Sequence, residues 1–140
     1  MTINTGDEIV KLLESLGVPF LKLNPNHVLI EEGDSSNDVY ILKTGQLQVT
    51  QNFSDIVTLD TPGTAVGEVS ALLGSLRSAS VKTLVTSELF VIEDFNKTLS
   101  TSPELSLLTL KAMAENLLER DRQQQGVYIG LKKLRERHSI

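Results

Sequence analysis

Residues 67–80, GEVSALLGSLRSAS, place one carboxylate and one guanidinium at a fixed separation around a short apolar run. Glu68 directly follows a glycine, and Arg77 comes nine residues later, followed at once by Ser78. A short helix beginning after Gly67 would point free backbone N–H groups at an anion, and a planar guanidinium forms paired hydrogen bonds to phosphate oxygens. Glu68 then remains as an acceptor for a sugar hydroxyl. The spacing therefore predicts a site for a small phosphate that carries a free hydroxyl.

An ordinary turn that leads into a helix is the alternative interpretation of the same residues. Glu68 would then be a carboxylate that favours the start of a helix, and Arg77 would be a surface cation lying over apolar neighbours. The rest of the chain separates the two interpretations, because a phosphate site needs a scaffold that brings both side chains together.

The same segment resembles the phosphate-binding cassette of the cyclic-nucleotide-binding domain family, the sensor domains of the catabolite activator protein and cyclic-nucleotide-gated channel type. The family pattern is F-G-E-L-A-L, four variable residues and P-R-x-A-T-V, and residues 66–81 follow it with the same spacing from glutamate to arginine. Val66 replaces the aromatic residue and Leu76 replaces the proline. Neither departure removes a ligand contact that the pattern implies.

Two further blocks extend the resemblance beyond the cassette. Residues 28–45, which include Val39-Tyr40-Ile41-Leu42, resemble the early strands and turns I-x-x-G-D and F-Y-I-I-x-x-G. Pro62-Gly63 stands where the family has P-G-D, with Thr64 in place of the aspartate. The three blocks keep their order and together cover about residues 27–120, which makes the resemblance specific.

The resemblance implies a non-catalytic sensor domain that binds a 3′,5′-cyclic nucleotide, with cAMP favoured over cGMP and no other cofactor. The phosphate would lie between Arg77, Ser78 and the backbone N–H groups near Ser70 and Ala71. Glu68 would accept a hydrogen bond from the ribose 2′-hydroxyl. Ser78 serves either purine in this scheme, as a phosphate partner or as a contact to the guanine amino group.

The resemblance also implies an apolar wall in the pocket and a residue of the C-terminal helix over the base. The wall candidates are Val57, Val69 and Val81. Helix register leaves three candidates for the base cap, which are Arg122, Gln123 and Tyr128. The complete set of predicted ligand-binding residues is Val57, Val66, Gly67, Glu68, Val69, Ser70, Ala71, Arg77, Ser78, Ala79, Val81, Arg122, Gln123 and Tyr128.

Composition favours a binding domain and supplies no set of catalytic groups. The 140 residues carry a net charge of −5, so the chain lacks the broad basic field that nucleic-acid binding needs. There is no cysteine, and His27 and His138 have no flanking ligand set, which disfavours a metal centre or a metal-dependent enzyme. No Ser/His/Asp arrangement or P-loop is visible, and no apolar run approaches the roughly 18 residues of a membrane span. The polar N-terminus and the lack of cysteine favour the cytoplasm.

Hydrophobic periodicity divides the chain into a helix, a strand-rich middle and a helical end. Apolar residues at near-3.6 spacing predict an N-terminal helix over residues 7–17. Short runs rich in Val, Ile and Thr predict strands within residues 27–93, which the cassette at 67–81 interrupts. A serine cap followed by proline predicts C-terminal helices over residues 103–138. We therefore expect one domain, residues 1–140, mainly β with flanking α: an antiparallel, jelly-roll-like β-roll with an N-terminal helix, a short phosphate-binding helix and C-terminal helices.

Apolar residues of the C-terminal segment fall on a 3-4-3-4 series that is typical of a coiled-coil seam. The series is Leu110, Met113, Leu117, Val127, Leu131 and Leu134. Two interpretations stay open, a homodimer through this helix or a stripe that packs on the chain's own roll. Gly126 and Gly130 weaken the helix and predict a hinge. An unidentified effector protein would respond to the movement of the C-terminal helix at this hinge. The alternative function is a roll without ligand that serves as a protein-interaction or dimerisation module.

Overall fold

The computed structural model describes residues 4–123. Four helices and eight strands occupy this range. In chain order they are α1 Thr5–Ser15, β1 Phe20–Leu23, β2 Val28–Ile30, β3 Val39–Thr44, β4 Leu47–Gln51, β5 Ser54–Leu59, β6 Ala65–Val66, α2 Glu68–Leu73, β7 Ser80–Thr83, β8 Ser87–Ile92, α3 Phe95–Thr101 and α4 Pro103–Gln123.

The strands form two antiparallel sheets of four strands each. Sheet one has the order β1-β8-β3-β6, and sheet two has the order β2-β7-β4-β5. Neighbouring strands of one sheet are mostly distant in sequence, so the chain crosses repeatedly between the sheets and closes them into a roll. With the helices at both ends and α2 inserted between β6 and β7, this arrangement confirms the predicted fold class.

Sheet one is covered on both faces. Side chains of successive strand residues point to opposite faces, and two neighbouring pairs of β3 and β8 show the result. Leu42 pairs with Leu89, and both belong to the core between the two sheets. Ile41 pairs with Phe90, and both belong to a second core beneath α1, α3 and α4. The roll therefore shares its central strands with the helical layer.

Side-chain caps fix the starts of the terminal helices. Asn4 Oδ1 accepts a hydrogen bond of 2.8 Å from the backbone N–H of Asp7, and α1 therefore begins two residues before the predicted position. The helix ends at Ser15, also two residues before the predicted end. Ser102 Oγ accepts a hydrogen bond of 3.2 Å from the backbone N–H of Leu105, so α4 begins where the serine–proline pair predicts.

Two elements were not expected from the sequence. Strand β1, Phe20–Leu23, precedes the predicted start of the strand region and forms an edge of sheet one. Helix α3, Phe95–Thr101, begins after Asp94, whose carboxylate accepts a hydrogen bond from the backbone N–H of Lys97. Within residues 4–123, no helix combines the length and the hydropathy that crossing a bilayer requires. Predictions for the far C-terminus lie outside the described residues: Val127, Tyr128, Leu131, Leu134 and the glycine hinge at Gly126 and Gly130.

Candidate functional site

The segment from Val66 to Val81 forms a compact unit between β6 and β7. Gly67 adopts a φ of 87° and caps the N-terminus of α2, a conformation that a residue with a Cβ rarely adopts. The six-residue helix then turns two of its residues, Ser70 and Ala71, into the protein interior. The predicted phosphate-binding helix thus begins at Glu68, directly after the glycine.

Arg77 is buried, with only 3% of its surface exposed, which rules out the alternative interpretation as a surface cation. On the cassette side, its Nη1 donates hydrogen bonds of 3.0 Å to the carbonyl oxygen of Gly67 and 2.9 Å to Ser70 Oγ. On the opposite side, its Nε donates to Ser36 Oγ at 3.2 Å and its Nη2 donates to the carbonyl oxygen of Asp38. The guanidinium therefore joins α2 to the loop between β2 and β3.

The β2–β3 loop also holds the main chain of Arg77. The N–H of Gly33 donates to the carbonyl oxygen of Arg77, and the N–H of Arg77 donates to the carbonyl oxygen of Asp34, both at 2.8 Å. Sequence reasoning connected Gly33 and Asp34 with the family pattern but missed Ser36 and Asp38 as partners of the arginine. A serine in a polar turn carries no signal that would have singled it out.

The acceptors around Arg77 are all neutral groups. Two are main-chain carbonyls and two are serine hydroxyls. Within residues 4–123, one ion pair has a nitrogen–oxygen distance of 4 Å or less. It joins Arg122 to Glu119 on the surface of α4, at 3.8 Å, and does not include Arg77. A buried charge is normally paired with an opposite charge. The arginine is thus a buried cation with four neutral hydrogen-bond acceptors and, among residues 4–123, no counter-ion within 4 Å.

Glu68, the first residue of α2, is half-buried. Burial raises the pKa of its carboxyl above the ordinary value of 4.5, and three smaller influences oppose the rise: a hydrogen bond from its own backbone N–H, the Arg120 charge and the Arg77 charge. Glu68 also lines a cavity of about 300 Å³ on the helix side of sheet one, which Arg77 does not line. The two predicted ligand residues are near neighbours, yet this cavity contains only one of them.

The predicted apolar wall has a buried end and an open end. Ile30 pairs with Val81, Val81 with Val49, and Val49 with Val57, so the four residues form a row across sheet two. The exposed fraction rises from 5% at Val81 to 44% at Val57, which lies on the edge strand. Val81 is therefore part of the core between the sheets and not an open wall, whereas Val57 and Val69 present free surface.

The remaining predicted residues lie around this unit in different settings. Val66 is buried and pairs with Tyr40 of β3. Ser78 is exposed beside the arginine, and Ala79 is half-buried.

The base-cap candidates belong to α4 and the residues after it. Arg122 faces solvent with Glu119, Gln123 is the last described residue, and Tyr128 lies outside the described range. Arg120 is the α4 cation whose charge acts to lower the pKa of Glu68. No group of histidines and carboxylates that would hold a metal ion occurs among residues 4–123.

The raised pKa of Glu68 gives a prediction for stability against pH. Below the unfolded-state pKa the carboxyl is neutral in both states, so folding carries no penalty. The penalty grows as the pH rises from the unfolded-state pKa to the higher folded-state pKa, because the unfolded chain loses the proton first, and it is complete above the folded-state pKa. We therefore expect Glu68→Gln to be more stable than the wild type at pH 7, with a difference that shrinks toward pH 4. Denaturant unfolding between pH 4 and pH 7 measures the difference in the free energy of unfolding. Glu115→Gln, on the same cavity but exposed, controls for the loss of one negative charge; a pH-independent difference for Glu68→Gln would contradict the prediction.

Comparison with known proteins identifies the scaffold around this site. A family model described as the cyclic nucleotide-binding domain matches residues 20–102, more than half of the chain. The chain is similar in structure to the catabolite activator protein of Thermus thermophilus, with a TM-score of 0.66 and 22% identity over 86% of this chain and 59% of that one. It therefore spans less than two thirds of that protein.

Two further solved structures share the fold. A cyclic nucleotide-binding domain from Methylobacillus flagellatus matches with a TM-score of 0.64 and 23% identity, over 84% of this chain and 68% of that one. The cAMP-bound PfPKA-R matches with a TM-score of 0.64 and 18% identity, over 86% of this chain and 44% of that one. At these identities the structural likeness supports the fold, and the family model supplies the family.

Proposed function

This chain belongs to the cyclic nucleotide-binding domain family, and we propose that it is a non-catalytic sensor whose ligand is a 3′,5′-cyclic nucleotide, cAMP in preference to cGMP. The observation that carries the proposal is the buried guanidinium of Arg77, which has neutral partners on every side and no carboxylate within 4 Å among residues 4–123. A phosphate supplies the missing negative charge, and its planar pair of oxygens matches the guanidinium.

In the proposed complex the cassette binds the phosphate and the ribose. Arg77 and Ser78 bind phosphate oxygens, together with the backbone N–H groups at the start of α2 near Ser70. The N–H of Ala71, also predicted from the sequence, is already donated to the carbonyl oxygen of Gly67 at 3.1 Å. Glu68 accepts a hydrogen bond from the ribose 2′-hydroxyl. Its half-buried position supports this role, because a carboxylate shielded from water forms a stronger hydrogen bond.

The base occupies the open end of sheet two in this proposal. Val57 supplies free apolar surface there, and Val49 continues the row into the core. Val69, on α2, is a further exposed apolar residue of the predicted wall. The base is capped from α4 or the residues beyond it, by Arg122, Gln123 or Tyr128. Ser78 is the residue that would favour cGMP, through a hydrogen bond to the guanine amino group.

Calorimetric titration of the purified chain with cAMP and cGMP tests the proposed function. We expect binding of both nucleotides, with the tighter isotherm for cAMP. Tighter binding of cGMP would reverse the predicted preference. If Ser78→Ala then removed the preference for cGMP, the Ser78 hydroxyl would be its cause. A folded protein that binds neither nucleotide at millimolar concentration would overturn the proposal and favour the alternative, a roll that serves as an interaction module.

Glu68→Gln tests the ribose contact. The amide keeps the shape of the side chain but lacks the charged acceptor, so we expect cAMP binding to weaken by about 1–3 kcal/mol. The preference for cAMP over 2′-deoxy-cAMP should shrink in the variant, because the lost interaction involves only the 2′-hydroxyl. Parallel titrations of both nucleotides measure the preference, and an equal preference in wild type and variant would remove Glu68 from the ribose site.

We propose that binding is transmitted through α4 to an effector protein. Glu68 lines the 300 Å³ cavity together with Met113 and Asn116 of α4, so the cassette and α4 share one cavity. A ligand that binds more tightly to one position of α4 shifts the population toward that position. The helical face that moves is then available to the effector.

We propose that the chain forms a homodimer through the outer face of α4. Leu110 and Leu117, seven residues apart on one face, are 63% and 62% exposed, whereas Met113 faces the cavity and not the seam. Leu117→Glu is expected to convert a dimer to a monomer in sedimentation and to leave cAMP affinity within about twofold, because the cassette lies elsewhere. Leu21→Glu, an exposed leucine on β1, is the matched control. A wild type that sediments as a monomer at high concentration, with and without cAMP, would exclude the dimer.

A further inference from the structure

We propose that the hydroxyl of Ser70 acts as an internal ligand of Arg77 in the nucleotide-free protein and that the phosphate replaces it on binding. The inference rests on the proposed function and adds to it a residue that sets affinity. Ser70 Oγ lies 2.9 Å from Arg77 Nη1 in a fully buried contact, at the point where the guanidinium meets the cassette. The serine and the phosphate therefore compete for the same N–H group.

The hydrogen-bond count of the guanidinium leads to this competition. A guanidinium has five N–H groups. Four of them have partners here: one on Nε, two on Nη1 and one on Nη2. Among the described residues, only one N–H, on Nη2, remains for a ligand. A phosphate bound through two parallel hydrogen bonds needs a second N–H, so one internal partner must leave.

Ser70 is the partner that leaves most readily. The carbonyl oxygen of Gly67 also accepts the helical hydrogen bond from the N–H of Ala71 at 3.1 Å, and the carbonyl oxygen of Asp38 belongs to the main chain entering β3. Both carbonyls are fixed by the backbone. The hydroxyl of Ser70 rotates about one side-chain bond, and its own donor bond, to the Gly67 carbonyl, is long at 3.3 Å.

The position of Ser70 distinguishes it from the other serine. Nη1 points to the cassette and shares that side with Glu68, the proposed ribose acceptor, whereas Nε points to Ser36 in the β2–β3 loop. A nucleotide that contacts Glu68 reaches Arg77 through Nη1 and Nη2. The contact with Ser36 then persists in the complex and keeps the arginine in place.

Competition by Ser70 lowers the affinity of the wild type, because part of the binding free energy displaces the internal hydrogen bond. Ser70→Ala removes the competitor and leaves the Gly67 carbonyl as the Nη1 acceptor. We expect Ser70→Ala to bind cAMP and cGMP about 3- to 10-fold more tightly than the wild type, the range that one modest hydrogen bond corresponds to. This expected gain in affinity is the opposite of the loss that usually follows when a polar residue is removed from a binding site.

The experiment compares calorimetric titrations of the wild type, Ser70→Ala, Ser36→Ala and Ser75→Ala with cAMP and cGMP. Ser75 is exposed in the turn after α2 and serves as the matched serine-to-alanine control, with unchanged affinity expected. Hydrogen exchange of the Arg77 side-chain N–H groups, measured by NMR without nucleotide, reports on the internal bonds directly. Faster exchange at Nη1 in Ser70→Ala is expected.

The outcomes separate this inference from the proposed function. Tighter binding in Ser70→Ala alone supports it. Unchanged or weaker binding in Ser70→Ala, with a wild type that binds nucleotide, overturns the inference and leaves the proposed function intact. Tighter binding in Ser36→Ala in place of Ser70→Ala also overturns it, because the phosphate would then approach through Nε. Absence of binding in the wild type and in every variant overturns both.

Discussion

Arg77→Ala is expected to weaken cyclic nucleotide binding by about 2–5 kcal/mol, the cost of removing one partner of a desolvated, charge-assisted pair. The guanidinium is the one buried cation of residues 4–123, and no other arginine or lysine of that range is buried. Within that range, no second buried cation can take over its charge. Titration with cAMP measures the loss, and unchanged affinity in a folded variant would contradict the assignment of the phosphate site.

The same change is expected to lower stability, because Arg77 also joins α2 to the β2–β3 loop. Each buried acceptor left without a donor costs about 1–3 kcal/mol. Denaturant unfolding measures this cost and defines the folded fraction for the titrations. Arg77→Lys keeps the charge but lacks the planar fork, so we expect intermediate affinity. Lys111→Ala, an exposed cation on α4, controls for the loss of one positive charge.

Gly67→Ala is expected to lower the free energy of unfolding by about 2–4 kcal/mol and to weaken nucleotide binding as well. The residue has a φ of 87°, and an added Cβ would meet the Arg77 guanidinium, the Asp38 carbonyl oxygen at 2.9 Å and Ile30 Cδ1 at 3.1 Å. Both the backbone strain and the collision arise at residue 67, which contacts the guanidinium proposed to bind the phosphate.

Gly74→Ala separates these two causes. Gly74 ends the same helix with a φ of 66°, but a Cβ there would meet no atom within 4 Å. We expect Gly74→Ala to cost only the left-handed strain, about 1 kcal/mol, and to leave nucleotide affinity unchanged. Equal effects of the two substitutions on stability and affinity would mean that the contact between residue 67 and Arg77 has no role in the site.

The sequence predicted the elements whose patterns depend on local chemistry. A serine followed by proline locates the start of α4, because the cap satisfies a backbone N–H whatever the helix packs against. Strands β3 and β8 are apolar runs, as expected for strands buried on both faces. Strand β1 escaped notice because its residues are largely exposed and show no alternation. Helix α3, FNKTLST, is poor in strong helix formers, and only its Asp94 cap indicates it.

The residue types of the candidate site were predictable from the sequence, but the burial of its side chains was not. The glycine–glutamate pair and the arginine nine residues later appear in the sequence, and the structure brings them together around α2. The burial of Arg77 depends on the β2–β3 loop, whose Ser36 lies 41 residues away and gives no local signal. The position of Val81 inside the core likewise depends on pairing with Ile30 and Val49. Long-range packing decides such features, and periodicity does not report it.

The sharing of sheet one between two cores has a consequence for how the molecule unfolds. Adjacent residues of β3, such as Ile41 and Leu42, contribute to different cores on opposite faces of one strand. If the helical layer separated from the roll, it would expose one face of the strands that the roll needs; if the roll opened, the helices would lose their support. Neither half keeps its apolar surface covered alone. The two layers are therefore joined in a single cooperative transition, with no stable intermediate in which one layer persists without the other.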